Sequence, residues 1–323
     1  MSSFLTIELA QEIIQKAEKN RDEAKRDVNS KADTGEIRGL RNYGNTCYFN
    51  AALQLLYALG LPRLRNHKSL LDAFLATVSP DDPLGERGEQ QDAHEFLIRF
   101  LALQKLQDGE FGGDIGCTVE WTTLCSQCKR KETAKQNCYD ISLPLSSSSP
   151  PTSVADLTSA FDNLTLCSTS NSDIVSLIQA WSQPSSVTDS ACEKCNTKGS
   201  LSLQSRILSA KDHLLIHLQR YSLSSSTAAK CGKRKHRAQA GWQKDLKNVH
   251  LSSSIVVAGE EYVLRALILH HGNSLDSGHY TAVCHHNNHN WYHFDDDTVK
   301  PLPAPPDSSA NAYILAYSKH PNN

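Results

Sequence analysis

A single cysteine stands where a glycine- and asparagine-rich segment runs into a predicted helix. The segment reads Gly39-Leu40-Arg41-Asn42-Tyr43-Gly44-Asn45-Thr46-Cys47-Tyr48-Phe49-Asn50. The unpaired N–H groups and partial positive charge of a helix N-terminus lower the pKa of a thiol placed there, and the same N–H groups can hold an oxyanion. Cys47 is therefore a candidate nucleophile, with the Asn42 amide as a further donor to the oxyanion. A buried structural cysteine is the alternative, because free cysteine is often a small core residue.

A histidine and an aspartate that could activate such a thiol lie near the C-terminus. His279 follows Gly278 at a predicted turn-to-strand junction, and another predicted strand ends at Asp295, which Asp296 follows. Two adjacent antiparallel strands would bring Asp295 to His279, where it could orient the imidazole as a base. Taken alone, each segment is also compatible with a surface histidine or a solvated acidic turn, since the chain has 14 histidines.

Two cysteine pairs have the spacing of metal ligands. Cys125 and Cys128 form one CxxC pair, and Cys192 and Cys195 form the other. Four thiolates suit a tetrahedral structural zinc ion, and both pairs fall in turns between strand-like runs. The gap between the pairs is longer than in a compact zinc ribbon. Two incidental pairs of cysteines are the alternative.

An acidic segment precedes the middle of the chain. Gln91, Asp92 and Glu95 lie at the start of a predicted helix over residues 89–107. From the residues alone, this segment is an amphipathic helix whose acids face water.

The composition limits the class of protein. The chain has 323 residues, ten cysteines and a formal net charge of −2. Cysteines this sparse do not indicate a disulfide scaffold, and the balanced charge gives no case for nucleic-acid binding. The charged N-terminal segment lacks the apolar core of a secretory signal, and no apolar run reaches the roughly 20 residues of a membrane span. We expect a soluble intracellular protein, in the cytoplasm, the nucleus or both.

Helices and strands must position these side chains. Helical patterning is predicted for residues 47–59, 67–78 and 89–107, and again within 154–181. The predicted strands are residues 117–124, 131–143, 201–208, 213–221, 262–270, 279–285, 290–294 and 312–318. Residues 4–28 are predicted to form a charged helix, residues 146–153 a serine- and proline-rich loop, and residues 222–240 an exposed insertion.

Together these segments resemble the motifs of the ubiquitin-specific proteases, a family of papain-like cysteine deubiquitinases. The cysteine segment is similar to the family's Gly-Leu-x-Asn-x-Gly-Asn-Thr-Cys-Tyr-x-Asn box. The segments at His279 and Asp295 resemble its Gly-His-Tyr and Trp-x-x-Phe-Asp-Asp boxes, and the acidic segment resembles its Gln-Gln-Asp-Ala-x-Glu-Phe helix. The resemblance runs from about residue 39 to about residue 317 and is weak over residues 144–190.

The resemblance implies a role for each of these side chains. Cys47 would be the nucleophile, His279 the general base and Asp295 its orienting partner, with Asn42 and Asp296 supporting the oxyanion. The implied substrate-binding residues are Gln91, Asp92, Glu95, Gly278 and Tyr280, and the two acids would face arginines of an extended ubiquitin tail. One structural zinc ion would pin the tip of a β region. No catalytic cofactor is expected.

The implied fold is α+β, with the thumb–palm–fingers architecture of papain-like cysteine peptidases, zinc-pinned β fingers and an antiparallel palm sheet. Residues 1–35 would be an N-terminal charged helical extension and residues 36–320 the catalytic domain. Within it we expect a thumb at about 36–112, fingers at about 113–145 and 185–215, and a palm at about 146–184 and 216–320.

The implied function is thiol-dependent hydrolysis after the C-terminal glycine of ubiquitin. The expected partners are ubiquitin and ubiquitinated proteins, without nucleic acid or membrane, and the enzyme is expected to act as a monomer. Two alternatives stay open. One is a protease for another modifier, such as SUMO or NEDD8, and the other is an inactive ubiquitin-binding scaffold.

Overall fold

The computed structural model describes residues 37–61, 67–78, 82, 84, 89–106, 114–145, 172–223, 242–273, 277–286 and 290–320. The predicted N-terminal extension, the serine- and proline-rich loop and most of the predicted insertion lie outside these ranges. Within them, no helix is both long and apolar enough to cross a membrane.

Three of the described helices build the predicted thumb. They are α1 (Cys47–Ala58), α2 (His67–Leu75) and α3 (Ala93–Leu106), and a fourth helix, α4 (Ile174–Trp181), follows later in the chain. In α1, every residue from Cys47 to Tyr57 is buried, so this helix is surrounded by protein on all sides. Its first residue is consequently held by packing around the whole helix.

Strands make up most of the remaining described chain. They are β1 (Cys117–Cys125), β2 (Lys131–Cys138), β3 (Asp140–Pro144), β4 (Ser172–Asp173), β5 (Ser185–Val187), β6 (Leu201–Ala210), β7 (His213–Gln219), β8 (Tyr221–Leu223), β9 (Trp242–Lys244), β10 (Val249–His250), β11 (Ser254–Val257), β12 (Glu260–His271), β13 (His279–His285), β14 (Trp291–Asp295), β15 (Thr298–Leu302), β16 (Ser308–Ser309) and β17 (Ala312–Lys319). Three of the four described helices precede the strands, and the fourth, α4, lies between β4 and β5. This largely separate order of helices and mainly antiparallel strands confirms the α+β class.

The largest sheet is the predicted palm. Its order is β15-β14-β13-β12-β17-β7-β3, with β11 also paired to β12, and its pairs are antiparallel except β3 with β7. Both faces are covered, because Ala266 and Ile268 of β12 pack with the thumb helices while Leu267 and Leu269 pack into a second core that includes α4. The sheet is therefore a rigid support for the strand ends that carry His279 and Asp295.

A smaller antiparallel sheet, β2-β1-β6-β5, corresponds to the predicted fingers. The predicted single strand over 131–143 breaks at Tyr139. Its first part, β2, stays in the small sheet with nearly every side chain exposed, and its second part, β3, crosses to the palm sheet and is buried at alternate positions. Because β7 also belongs to the palm sheet, the small sheet ends before Asp140 and before His213, earlier than the boundaries at 145 and 215 that we expected.

Candidate active site

A tight loop positions Cys47 at the N-terminus of α1. The Asn42 Oδ1 atom accepts hydrogen bonds from the backbone N–H groups of Gly44, at 2.9 Å, and Thr46, at 3.1 Å. Gly44 and Asn45 both have positive φ, of 95° and 52°, which glycine and asparagine tolerate best. The glycine- and asparagine-rich segment therefore forms a turn that is closed by the Asn42 side chain and ends where α1 begins.

The Cys47 thiol lies in a buried position that nevertheless favours the thiolate. Burial raises its pKa, but hydrogen bonds from the His279 side chain, the Tyr280 backbone and the Gln90 side chain, together with the charge of His279, lower it below the ordinary value. The Gln90 Nε2 atom lies 3.3 Å from Sγ. Hydrogen-bond donors therefore meet the sulfur from two separate parts of the chain.

His279 connects this thiol to Asp295. Its Nε2 atom lies 2.6 Å from the Asp295 Oδ1 atom, so Nδ1 is the ring nitrogen left for the hydrogen bond with Cys47. The hydrogen bond with Cys47 raises the pKa of His279 to about 9 against the opposing effect of burial, and Asp295 adds to the rise. The hydrogen bond from His279 in turn lowers the pKa of Asp295. This arrangement stabilises a thiolate–imidazolium pair.

Gly278 allows the strand carrying His279 to approach its neighbour. Its φ is 153°, and an added Cβ would lie 2.4 Å from the His271 carbonyl oxygen and 2.5 Å from the His270 Nε2 atom. Because β12 and β13 pair His271 with His279, any side chain at position 278 would push the two strands apart at the histidine. The close approach at Gly278 is therefore a contact within the protein itself.

Asp296 joins the cysteine loop to the turn after Asp295. Its Oδ2 atom accepts a hydrogen bond from the Asn42 Nδ2 atom at 2.9 Å, and its Oδ1 atom accepts one from the Asn50 Nδ2 atom at 2.8 Å. Its carbonyl oxygen also accepts the Leu40 N–H at 2.8 Å. The structure thus brings Asn42 and Asp296 together, close to the nucleophile. Gly39 belongs to the same contact, since a Cβ there would lie within 2.5 Å of the Asp297 backbone.

In the acidic segment, Asp92 makes contacts within the protein, whereas the carboxylate of Glu95 is exposed. The Asp92 Oδ1 atom accepts the backbone N–H groups of His94, at 2.7 Å, and Glu95, at 3.0 Å, which caps α3. The Asp92 Oδ2 atom accepts the Tyr313 hydroxyl at 2.5 Å. Glu95 is exposed and forms an ion pair with Arg99, while Gln91 is buried. Of these side chains, Glu95 is the one most available to a ligand.

Tyr280 packs inside the interface between thumb and palm. Its ring lies 4.4 Å from that of His270 and 6.0 Å from that of Tyr313, measured between centroids. Burial raises the pKa of its hydroxyl well above the ordinary value. Its backbone N–H faces the Cys47 sulfur, so the residue acts on the site through its backbone.

The four CxxC cysteines form one cluster at the end of the small sheet. Their sulfur atoms all lie within 4.8 Å of one another, with 3.7 Å between Cys125 and Cys195 and 3.6 Å between Cys128 and Cys192. A tetrahedral ion with metal–sulfur bonds of about 2.3 Å requires sulfurs about 3.8 Å apart, so the cluster fits such an ion. The two short distances each join different CxxC pairs, so a bound metal would cross-link the two turns.

A further polar cluster was not predicted from the sequence. His94 of α3 contacts the Asp140 Oδ2 atom at 3.0 Å, and its ring stacks on that of His217 with 3.8 Å between centroids. Ser142 donates to Asp140 and contacts the His217 Nδ1 atom at 2.9 Å. The lone pairs of stacked, nearly parallel rings do not converge on one point, so the cluster serves to join thumb to palm and is a poor metal site.

Gln90 and Asn50 are the two neighbours of the site that sequence reasoning missed. Asn50 is the last position of the cysteine box, and Gln90 directly precedes Gln91 in the acidic segment. Both positions were part of the motifs, but only the fold shows that Gln90 reaches the thiol and that Asn50 reaches Asp296.

Comparison with known proteins places this geometry in a family. The family model described as "Ubiquitin carboxyl-terminal hydrolase" matches residues 65–317, which include His279 and Asp295. This chain belongs to the ubiquitin carboxyl-terminal hydrolase family. The resemblance to ubiquitin-specific proteases is thereby confirmed.

Curated members of the family are distant in sequence. Ubiquitin carboxyl-terminal hydrolase 10 of Saccharomyces cerevisiae is 23% identical over 379 residues, covering 87% of this chain and 47% of the relative. Ubiquitin carboxyl-terminal hydrolase 36 of Drosophila grimshawi is 25% identical, covering 86% of this chain and 25% of the relative. Human ubiquitin carboxyl-terminal hydrolase 3 is 27% identical, covering 87% of this chain and 68% of the relative. The chain thus spans about half or less of the first two relatives.

A solved structure shares the fold. The SAGA DUB module of Ubp8, Sgf11, Sus1 and Sgf73 bound to monoubiquitin aligns with a TM-score of 0.64 over 98% of this chain and 76% of the matched chain, at 16% identity. The same module bound to ubiquitin aldehyde aligns with a TM-score of 0.62 over 94% of this chain and 75% of the matched chain, again at 16% identity. These alignments confirm the predicted fold, with a palm sheet, thumb helices and a small sheet bearing the cysteine cluster.

Proposed function

We propose that this chain is a cysteine-type deubiquitinase that hydrolyses isopeptide or peptide bonds after the C-terminal glycine of ubiquitin. One observation carries the proposal: His279 hydrogen-bonds to both Cys47 and Asp295, with the thiol at a helix N-terminus. A buried structural cysteine would need neither the histidine nor the aspartate behind it.

In the proposed reaction, the Cys47 thiolate attacks the carbonyl carbon of the terminal glycine. The negative charge that develops on the carbonyl oxygen is held by backbone N–H groups at the start of α1 and by the Asn42 amide, which Asp296 orients. Protonated His279 then donates its proton to the leaving amine, and the carbon–nitrogen bond breaks to give a thioester.

Water completes the reaction. Neutral His279, held by Asp295, removes a proton from water as the water attacks the thioester carbonyl. The tetrahedral intermediate collapses, Cys47 leaves as a thiolate, and His279 again carries the proton. The proton given to the leaving amine and the proton taken from the attacking water therefore both pass through one imidazole, whose orientation depends on Asp295.

Ubiquitin is the proposed substrate because relatives carry the name of ubiquitin hydrolases and the matched module is described as bound to monoubiquitin. Glu95 and Asp92 would attract a basic, extended tail, with exposed Glu95 contributing most of the charge. Gln91, Gly278 and Tyr280 would support the walls of that channel, Gln91 from a buried position and Tyr280 through its backbone. We further propose ubiquitinated proteins as partners, a monomeric enzyme and an intracellular location.

The cysteine cluster is proposed to hold one structural zinc ion. Cys125, Cys128, Cys192 and Cys195 would be its ligands. Zinc would tie the β1–β2 turn to the segment before β6 and so stiffen the end of the small sheet. We retain residues 1–35 as an extension and residues 36–320 as the catalytic domain, with the fingers boundaries moved as described above.

A panel of fluorogenic substrates tests the proposal. Wild-type protein should release the fluorophore from ubiquitin and much less from SUMO and NEDD8, and Cys47→Ala should abolish release. Cleavage of another modifier in preference to ubiquitin would overturn the substrate assignment. Binding of ubiquitin without cleavage of any member of the panel would indicate an inactive scaffold.

A further inference from the structure

A glutamine side chain contacts the reacting sulfur from the thumb. The Gln90 Nε2 atom lies 3.3 Å from the Cys47 Sγ atom, and the Oε1 atom of the same amide lies 3.7 Å from it. Both distances fall within hydrogen-bonding range for sulfur. Gln90 is therefore in contact with the nucleophile itself.

The backbone that follows Gln90 is anchored to both the thumb and the palm. Gln91 is buried, and Asp92 caps α3 while accepting the hydroxyl of Tyr313 from the palm sheet. Gln90 thus leads directly into an ordered junction of thumb and palm, and its amide is held close to the thiol by that junction.

The amide suits both protonation states of the thiol. Its oxygen can accept the S–H of neutral Cys47, and its N–H can donate to the thiolate. Resting on the proposed thiol-dependent hydrolysis, we propose that Gln90 is a further catalytic residue, whose side-chain N–H donates a hydrogen bond to the Cys47 thiolate and holds it for attack on the substrate carbonyl.

Other groups near the sulfur have different chemistry. His279 of β13 supplies a charge and a proton, and the Tyr280 backbone supplies a fixed N–H. Tyr48, the next residue on α1, is a buried neutral phenol, and Asp295 acts through His279. Gln90 is the neutral side-chain donor of this group, so its removal changes the stability of the thiolate without changing the net charge.

The experiment compares Gln90→Ala and Gln90→Glu with wild type and with Gln183→Glu. Gln183 is an exposed glutamine just after α4, outside the site, and its variant controls for the charge change. Alkylation of Cys47 by iodoacetamide, followed by peptide mapping from pH 5 to 10, reports the thiolate without using ubiquitin. Fluorogenic ubiquitin then gives kcat and KM for the same variants.

We expect the apparent pKa of Cys47 alkylation to rise by about one unit in Gln90→Ala and by more in Gln90→Glu, because a carboxylate replaces a donor with a like charge. The kcat should fall about tenfold in Gln90→Ala, with KM changed by less than about twofold. Gln183→Glu should match wild type in both measurements.

An unchanged alkylation profile in both Gln90 variants would overturn the inference, as would a change confined to KM. Thermal melting of Gln90→Glu, which preserves the side-chain shape, separates a local effect from unfolding. If wild-type protein alkylates selectively at Cys47 but cleaves no ubiquitin substrate, the proposed function fails, and the alkylation profiles still decide the role of Gln90.

Discussion

Replacement of Asp296 by asparagine tests how the oxyanion donor is held. Both carboxylate oxygens accept hydrogen bonds from side-chain amides, at 2.9 Å from Asn42 and 2.8 Å from Asn50. An asparagine can accept at only one of the two positions, and its NH₂ group then faces another N–H donor. The substitution keeps the side-chain shape, and asparagine tolerates the φ of 50° at this position.

The size of the effect follows from which amide loses its partner. Asn50 keeps the carbonyl oxygens of Leu40 and Arg41 as acceptors, whereas the Asn42 N–H has Asp296 as its described acceptor. The Asn42 amide should therefore be the one that shifts, since its N–H loses its acceptor while its Oδ1 atom keeps the N–H groups of Gly44 and Thr46. Loss of one oxyanion donor costs about 10²–10³ in kcat, or about 3–4 kcal/mol in the transition state. Since Asn42 is displaced rather than removed, we expect a fall of about 10² in kcat.

Steady-state hydrolysis of fluorogenic ubiquitin measures this effect, with Asp297→Asn as the matched control. Asp297 is the next residue in the same turn, and its exposed carboxylate contacts Thr298. The control should retain wild-type kcat, and Asp296→Asn should have a nearly unchanged KM. A kcat within threefold of wild type for Asp296→Asn, in a protein with unchanged melting temperature, would refute this account of the oxyanion site.

Three further predictions follow from the same contacts. The pKa of Cys47 is lowered and that of His279 is raised to about 9, so kcat/KM should rise as the pH passes the pKa of Cys47. It should fall above about pH 9, where His279 loses its proton and the imidazolium no longer stabilises the thiolate. A value of kcat/KM that still rises at pH 10 would contradict the ion pair. A strong chelator should release about one zinc per chain from the wild type in a metal-sensitive dye assay and lower its melting temperature. Cys128→Ser should bind about one zinc fewer per chain than the wild type, while Cys138→Ser should keep the wild-type metal content; full metal content in Cys128→Ser would contradict the ligand set. Gly278→Ala should lower kcat more than tenfold without blocking ubiquitin binding in a calorimetric titration, because the added Cβ meets the backbone of β12; full activity would show that the strands can part freely.

The proximity of Cys47, His279 and Asp295, and that of the four CxxC cysteines, could be predicted because each of these residues belongs to a short, recognisable sequence motif. The cysteine box contains its own turn, with Asn42 folding onto the backbone of Gly44 and Thr46. His279 begins one predicted strand and Asp295 follows the end of another, and antiparallel pairing brings the two strands side by side. Short motifs, taken together with the family resemblance, were enough to predict these features.

Features that depend on distant contacts were not predictable in the same way. A capping aspartate and a ligand-binding aspartate look alike in sequence. Only the structure shows that Asp92 caps α3 with one oxygen and accepts the Tyr313 hydroxyl with the other. Gln90 was passed over because nothing local places it against a sulfur 43 residues away. The break at Tyr139 was missed because the run on both sides of it has strand-like composition.

Reaction with a ubiquitin propargylamide probe, followed by intact-mass measurement, tests the central claim most directly. Wild-type protein should gain the mass of one ubiquitin, the adduct should map to Cys47, and Cys47→Ala should gain none while keeping a wild-type melting temperature. His279→Ala should form the adduct far more slowly. A wild-type protein that binds ubiquitin but forms no adduct, or an adduct that maps to a cysteine other than Cys47, would contradict the assignment of Cys47 as the nucleophile of a deubiquitinase.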